Sequence, residues 1–169
     1  MTENNLSTRG EAIRVAGVVA ALMLGFWLGT GNYSAEPKQE CDVRISDPDR
    51  DGREVGRGAL VKGTASVPGG NHLWVLVRAT PGYEEVWWPQ NEGKTDPRSG
   101  QWEVYVTFGE RRDIGHDFEI AAIVVNEREH AVLKDWRKNA MRTGEYRPIE
   151  MPPTTCAPII RRVRKVSDD

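Results

Sequence analysis

Leu73-Trp74-Val75-Leu76-Val77 is a five-residue run with no polar side chain on either face of a strand, and its reading decides the fold. A helix would space its apolar positions by 3.6 residues over about ten or more; a short continuous run bounded by turn residues fits a strand buried on both sides. Pro68-Gly69-Gly70-Asn71 supplies the turn that precedes it. Phe118-Glu119-Ile120-Ala121-Ala122-Ile123-Val124-Val125 is a second run of this kind and predicts a second central strand.

Working outward, apolar residues alternate at period two between turn residues, as in an all-β domain. Val43 and Ile45 mark a first strand, followed by the turn Asp47-Pro48-Asp49-Arg50-Asp51-Gly52. Leu60 to Ala65 reads as the next strand, and Tyr83 to Trp88 as another, stopped by Pro89 and followed by a loop from Gln90 to Gly100. Trp102, Val104 and Val106 alternate with polar positions, the mark of a half-buried strand. Ile159 to Val166 is the last strand. One helix interrupts the series: Asn126 caps it, Glu129 stands three residues on, and Val132, Leu133, Trp136 and Ala140 share a face. The tally is all-β, an antiparallel β-sandwich of about seven strands over residues 41–166, with one short helix before the last strand and residues 167–169 as a tail.

Ahead of this domain, Val15 to Ala35 carries no charged side chain. Its apolar part, 15–31, makes a helix roughly 25 Å long, enough to span a thin bilayer core, so a transmembrane helix is expected there. Residues 1–14 then form a cytoplasmic tail and 32–40 a linker. A cleaved leader is the competing reading, with cleavage after Gly31 its best site, but the run exceeds the usual apolar region of a signal peptide. Arg9 and Arg14 precede the span and Lys38 alone follows it, which puts the amino terminus inside and the domain outside. Gly17, Ala21, Gly25 and Gly29 recur at every fourth position, a small-residue strip suited to pairing with a second membrane helix, in a homodimer or with a protein partner.

The formal net charge of −2 gives no general attraction to nucleic acid. The two cysteines, Cys41 and Cys156, bracket the domain. In an oxidising compartment such a pair invites a disulfide, closing a loop of about 115 residues; two free buried thiols are the alternative.

The domain's motifs are Asp51-Gly52-Arg53-Glu54-Val55, Val61-Lys62-Gly63, Leu73-Trp74-Val75, Trp88-Pro89-Gln90, Gly100-Gln101-Trp102 and the strand from Gly115 through Phe118 and Ile120. Together they resemble a broad group of bacterial extracytoplasmic immunoglobulin-like domains, over residues 41–166. The resemblance implies an immunoglobulin-like sandwich that serves as a stalk or as a ligand- or partner-binding module; its motifs specify packing and turns rather than chemistry. The inter-sheet cysteine pair on the second and sixth strands is missing. A Cys41–Cys156 bridge would instead join the starts of the first and last strands, which suits a parallel pairing of those two.

Candidate chemistry is sparse. Asp47, Asp49, Asp51 and Gly52 match the opening of a calcium loop, but Gly58 stands where a bidentate Glu is needed and Arg53 adds positive charge. An exposed turn explains the same residues. Tyr83, Trp87 and Trp88 are a candidate ligand platform, although strand alternation sends the two tryptophans to opposite faces. Arg161, Arg162, Arg164 and Lys165 could meet anionic lipid headgroups or, preferably, keep an edge strand from pairing with neighbours. His72, His116 and His130 are dispersed without metal-ligand spacing. No nucleophile motif or phosphate-cradling loop is present. The expectation is therefore a non-enzymatic domain without a cofactor, held at the plasma membrane with the lipid bilayer and a protein as its partners.

Overall fold

The computed structural model describes residues 41–169. They form β1 (Asp42–Asp47), β2 (Arg53–Val55), β3 (Gly58–Ser66), β4 (Asn71–Thr80), β5 (Trp88–Glu92), β6 (Gln101–Thr107), β7 (Asp117–Asn126), α1 (Glu127–Thr143) and β8 (Ile159–Lys165). The strands make two sheets, one in the order β1-β3-β6 and one in the order β2-β8-β7-β4-β5. Every pairing is antiparallel except that of β2 with β8. The expected span over 15–31, its flanking tail and linker, and the strip of Gly17, Ala21, Gly25 and Gly29 lie outside the described residues. Among the described residues, no helix is long and apolar enough to cross a membrane.

Period-two alternation builds the space between the sheets. In β6, Trp102, Val104 and Val106 are buried while Gln101, Glu103, Tyr105 and Thr107 are exposed. They meet Val43, Ile45 and Val61 of their own sheet and Leu73, Val75, Val77, Phe118, Ile120 and Val124 of the other. Gly63 stands directly across from Trp102, and any Cβ there would overlap the indole ring.

β4 and β7 are buried on both faces, as their unbroken apolar runs predict. A second layer follows, because α1 and the chain around Trp87 and Ile149 cover Trp74, Leu76, Ala121, Ile123 and Val125 on the outer face. α1 begins where predicted: Asn126 accepts the Glu129 backbone N–H at 3.0 Å, and Gly144 closes the helix in the left-handed region at φ 75°. At 17 residues it is not the short helix expected. Its buried face is His130, Leu133 and Ala140, with Arg137 half-buried, whereas Val132 is exposed. Leu133, Trp136 and Ala140 of the expected face do turn inward; Val132 alone does not, and the polar His130 turns toward the sheet as well.

Three further expectations are corrected. Pro89 does not stop the fifth strand but lies inside it; β5 is an edge strand, where a missing N–H costs no ladder bond. The strand therefore starts at Trp88 rather than Tyr83 and extends into the expected loop as far as Glu92. β2 is an eighth strand, and it is β2, not β1, that runs parallel to β8. The chain crosses between sheets in the turn after β1, so β1 stays with β3. Finally, β8 is no edge strand; β7 and β2 flank it.

Cys41 and Cys156 are bonded, with Cα atoms 6.1 Å apart across 115 residues of sequence. Cys41 leads into β1 and Cys156 into β8, so the bridge ties one sheet to the other.

Candidate functional site

The outer face of the five-stranded sheet gathers the molecule's polar chemistry. Arg78, Glu119 and Arg162 are direct cross-strand partners on β4, β7 and β8. Glu119 is buried and accepts from Arg78 Nε at 2.8 Å and Nη2 at 2.6 Å, and from Arg162 Nε at 2.8 Å. Burial alone would raise its pKa, but the bonds from Arg162 and Arg78 outweigh that and hold the carboxyl below its ordinary range. Arg78 also lies over the Trp87 ring, 4.3 Å from its centroid. The one carboxylate of this row is held by two guanidiniums, and the three side chains tie β4, β7 and β8 together.

The expected aromatic platform separates as strand alternation required. Trp87 is buried in the outer layer and bridges to Ile149. Trp88 is half-buried, and the exposed Tyr83 meets it edge-on at 5.2 Å between centroids. The surface then continues into residues that strand reasoning did not include. Trp88 Nε1 donates to the Tyr146 carbonyl at 3.1 Å, Trp136 Nε1 donates to the Arg147 carbonyl at 3.0 Å, and the Trp136 and Tyr146 rings pack edge-on. Two indoles from different elements thus hold consecutive carbonyls of the segment after α1. Tyr83, Trp88, Tyr146 and Trp136 are fixed in place while Tyr83 and Tyr146 remain about half exposed.

At the other end of α1 the structure brings together two histidines that sequence spacing had kept apart. The β4–β7 ladder pairs Asn71 with Asn126 and His72 with Val125. α1 starts directly after Asn126, so one turn of helix returns His130 to His72. The rings stack at 3.5 Å between centroids, 7° from parallel. His72 Nε2 lies 2.7 Å from Glu127 Oε2 and its Nδ1 lies 3.3 Å from Glu92 Oε1. Ionised carboxylates only accept, so a protonated nitrogen of this ring donates to the carboxylate beside it. His130 is different. Trp74 Nε1 donates to its Nδ1 at 3.0 Å, which leaves the ring proton on Nε2. Burial first, and then the neighbouring His72, push His130 below the ordinary histidine value. The bond from His72 likewise lowers Glu127. The Asn126 cap together with strand register was the signal that could have found this pair.

The other sequence candidates are answered locally. Arg53 Nη1 reaches Asp47 at 3.2 Å and Asp49 at 3.3 Å, filling the position a calcium ion would need. Asp51 turns away to accept the Arg162 backbone N–H at 3.0 Å and to pair with Arg161 at 3.5 Å. On β8, Arg162 and Arg164 pair with Glu119 and Asp117, and the fully buried Lys165 bonds Asp168 at 2.8 Å and the Glu110 carbonyl at 2.6 Å. These four basic residues have partners within the fold, which removes the reason to assign them to lipid or to edge protection. His116 stands away from the other two histidines, 4.0 Å from Asp113. In comparisons with known proteins, no family model matches this chain, and no curated protein matches it.

Proposed function

We propose that this chain is a single-pass membrane protein, amino terminus in the cytoplasm, that displays an immunoglobulin-like β-sandwich outside the plasma membrane for contact with another protein. The observation that carries this reading is the Cys41–Cys156 disulfide. Such bonds persist in oxidising compartments, and Cys41 follows, after the charged segment 36–40, an uncharged stretch long enough to anchor the chain. What supports the immunoglobulin-like assignment is the strand order: three strands face a β8-β7-β4 sheet, and the chain after the first strand crosses over to run parallel with the last. The strip of Gly17, Ala21, Gly25 and Gly29 would add a membrane contact with a partner helix. A membrane-impermeant thiol reagent applied to whole cells tests the arrangement: labelling of Cys41 and Cys156 from outside, only after reduction, is expected. Labelling from the cytoplasmic side alone would overturn it.

A second reading, a tethered carbohydrate- or small-ligand-binding module, is favoured by one observation. Trp88 is half-exposed and braced by Tyr83 and the Tyr146 carbonyl, as a stacking surface for a sugar ring should be. Tryptophan fluorescence titrated with envelope glycans tests it; a flat response across the series excludes it.

A further inference from the structure

We propose that the stacked pair of His72 and His130 is an acid-sensitive latch, which holds the first turn of α1 on the five-stranded sheet and releases it when His130 takes up a proton.

The two rings are placed for opposite roles. They lie face to face, 3.5 Å between centroids and 7° from parallel, so each feels a charge on the other at close range. His72 is about one quarter exposed and has a carboxylate beside each ring nitrogen, Glu92 at 3.3 Å and Glu127 at 2.7 Å. A proton on His72 is therefore answered on both sides. His130 is buried, and its Nδ1 accepts the N–H of Trp74, itself only 1 % exposed. An imidazolium donates from both nitrogens and accepts at neither. Protonating His130 sets two N–H groups against each other and leaves the buried Trp74 indole without an acceptor. The closed arrangement thus admits a neutral His130, whereas a helical turn lifted into water admits either form.

The charged groups that face His130 come from the elements packed around it. β4 supplies His72, β5 supplies Glu92, and α1 itself supplies Glu127 and Lys134, while β7 presents the apolar Ile123 and Val125. Burial, His72 and Lys134 oppose a proton on His130 and prevail over Glu92 and Glu127, so its pKa is lowered in the fold. Above the ordinary histidine value the latch is at full strength. As pH falls through that value, the released turn gains a proton that the latched one refuses, and the latch weakens until the folded value is reached. Glu127, 75 % exposed, stays beside His72 in acid and keeps the released turn near the sheet, while Leu133 and Ala140 hold the rest of the helix.

The test uses the full chain in detergent and follows amide hydrogen exchange between about pH 8 and about pH 5, each rate divided by the intrinsic rate at that pH. Protection in the first turns of α1 should fall by up to about tenfold per pH unit below the ordinary histidine value, the slope of one proton, while β6 stays protected. The Trp74 indole N–H resonance should shift over the same range. His130→Asn, whose amide oxygen can accept from Trp74 and cannot be charged, should abolish this pH dependence, and His116→Asn should leave it as in the parent. If His130→Asn does not fold, the slope and the Trp74 shift of the parent chain decide the matter. Protection that holds steady down to about pH 5, loss that reaches β6 at the same pH, a Trp74 resonance that stays fixed, or an acid response retained in His130→Asn would each overturn the proposal.

Discussion

The inner and outer faces of the five-stranded sheet come from the same strands, one residue out of step, and hold different chemistry. Leu73, Val75, Val77, Ile120 and Val124 point inward and belong to one buried apolar cluster drawn from both sheets. His72, Trp74, Arg78 and Glu119 belong to the opposite face, where buried carboxylate, guanidinium, imidazole and indole groups answer one another. The difference teaches where this fold tolerates specialised chemistry. The closed space between the sheets is packed with apolar side chains, and among the described residues the Trp102 indole N–H is buried there without a hydrogen-bond partner. A face covered by one helix and a returning segment is closed in its middle and open at its ends, and the ends carry the histidine pair and the aromatic strip.

This comparison can be broken by substitution. The largest loss should follow removal of the bridge between the sheets: replacing Cys41 and Cys156 together by alanine should cost about 4 kcal/mol in the chain-entropy account, read as a lower midpoint in urea with both sheets unfolding together. Separate transitions for the two sheets would show that the inner layer is no single unit.

Next comes the outer charged row. Glu119→Gln should cost about 2 kcal/mol at neutral pH, because two guanidinium groups lose their buried partner. The sign of its pH dependence is fixed by the lowered pKa of Glu119 in the fold. Its stabilisation is complete above the ordinary carboxylate value and is lost as pH falls through the folded value. The variant should therefore flatten the acid limb of a stability-against-pH curve, and an unchanged limb would refute the assignment. Asn126→Ala, which removes the helix cap, should cost about 1 kcal/mol and loosen α1 over the histidine pair, with faster hydrogen exchange in the first helical turn. The smallest effect belongs to the aromatic strip: Tyr83→Ala should change stability by about 0.5 kcal/mol or less while reducing crosslinking to a partner in native membranes. Equal crosslinking would remove the strip from the contact surface.

Much of the sandwich was legible because its determinants are local. The runs at 73–77 and 118–125 and the alternation at 102–106 each carry their own burial pattern. The Asn126 cap was equally plain. What escaped depended on position in the sheet. Pro89 looks like a strand breaker until the strand is known to lie at an edge, and three-residue β2 is too short to show a period. The basic run of β8 looks like edge protection until each residue meets a partner that ladder register supplies. The histidine pair was hidden by the 57 residues between His72 and His130, which only the β4–β7 register and the start of α1 bring together. Trp136 was placed on the helix, but its link to the carbonyl of Arg147 depends on how the segment after the helix returns.

The inter-sheet disulfide also sets how the domain bears load. Tension arriving through the residues before Cys41 would, without the bond, act first on β1, an outermost strand that could be peeled from β3 one hydrogen bond at a time. With the bond in place, force passes at Cys41 directly to Cys156, three residues ahead of β8. That strand is flanked by β7 and β2, so many hydrogen bonds must yield together rather than in sequence. A domain pulled from its amino-terminal side would resist as a shear-loaded block, and reducing a single bond would turn it into a zipper.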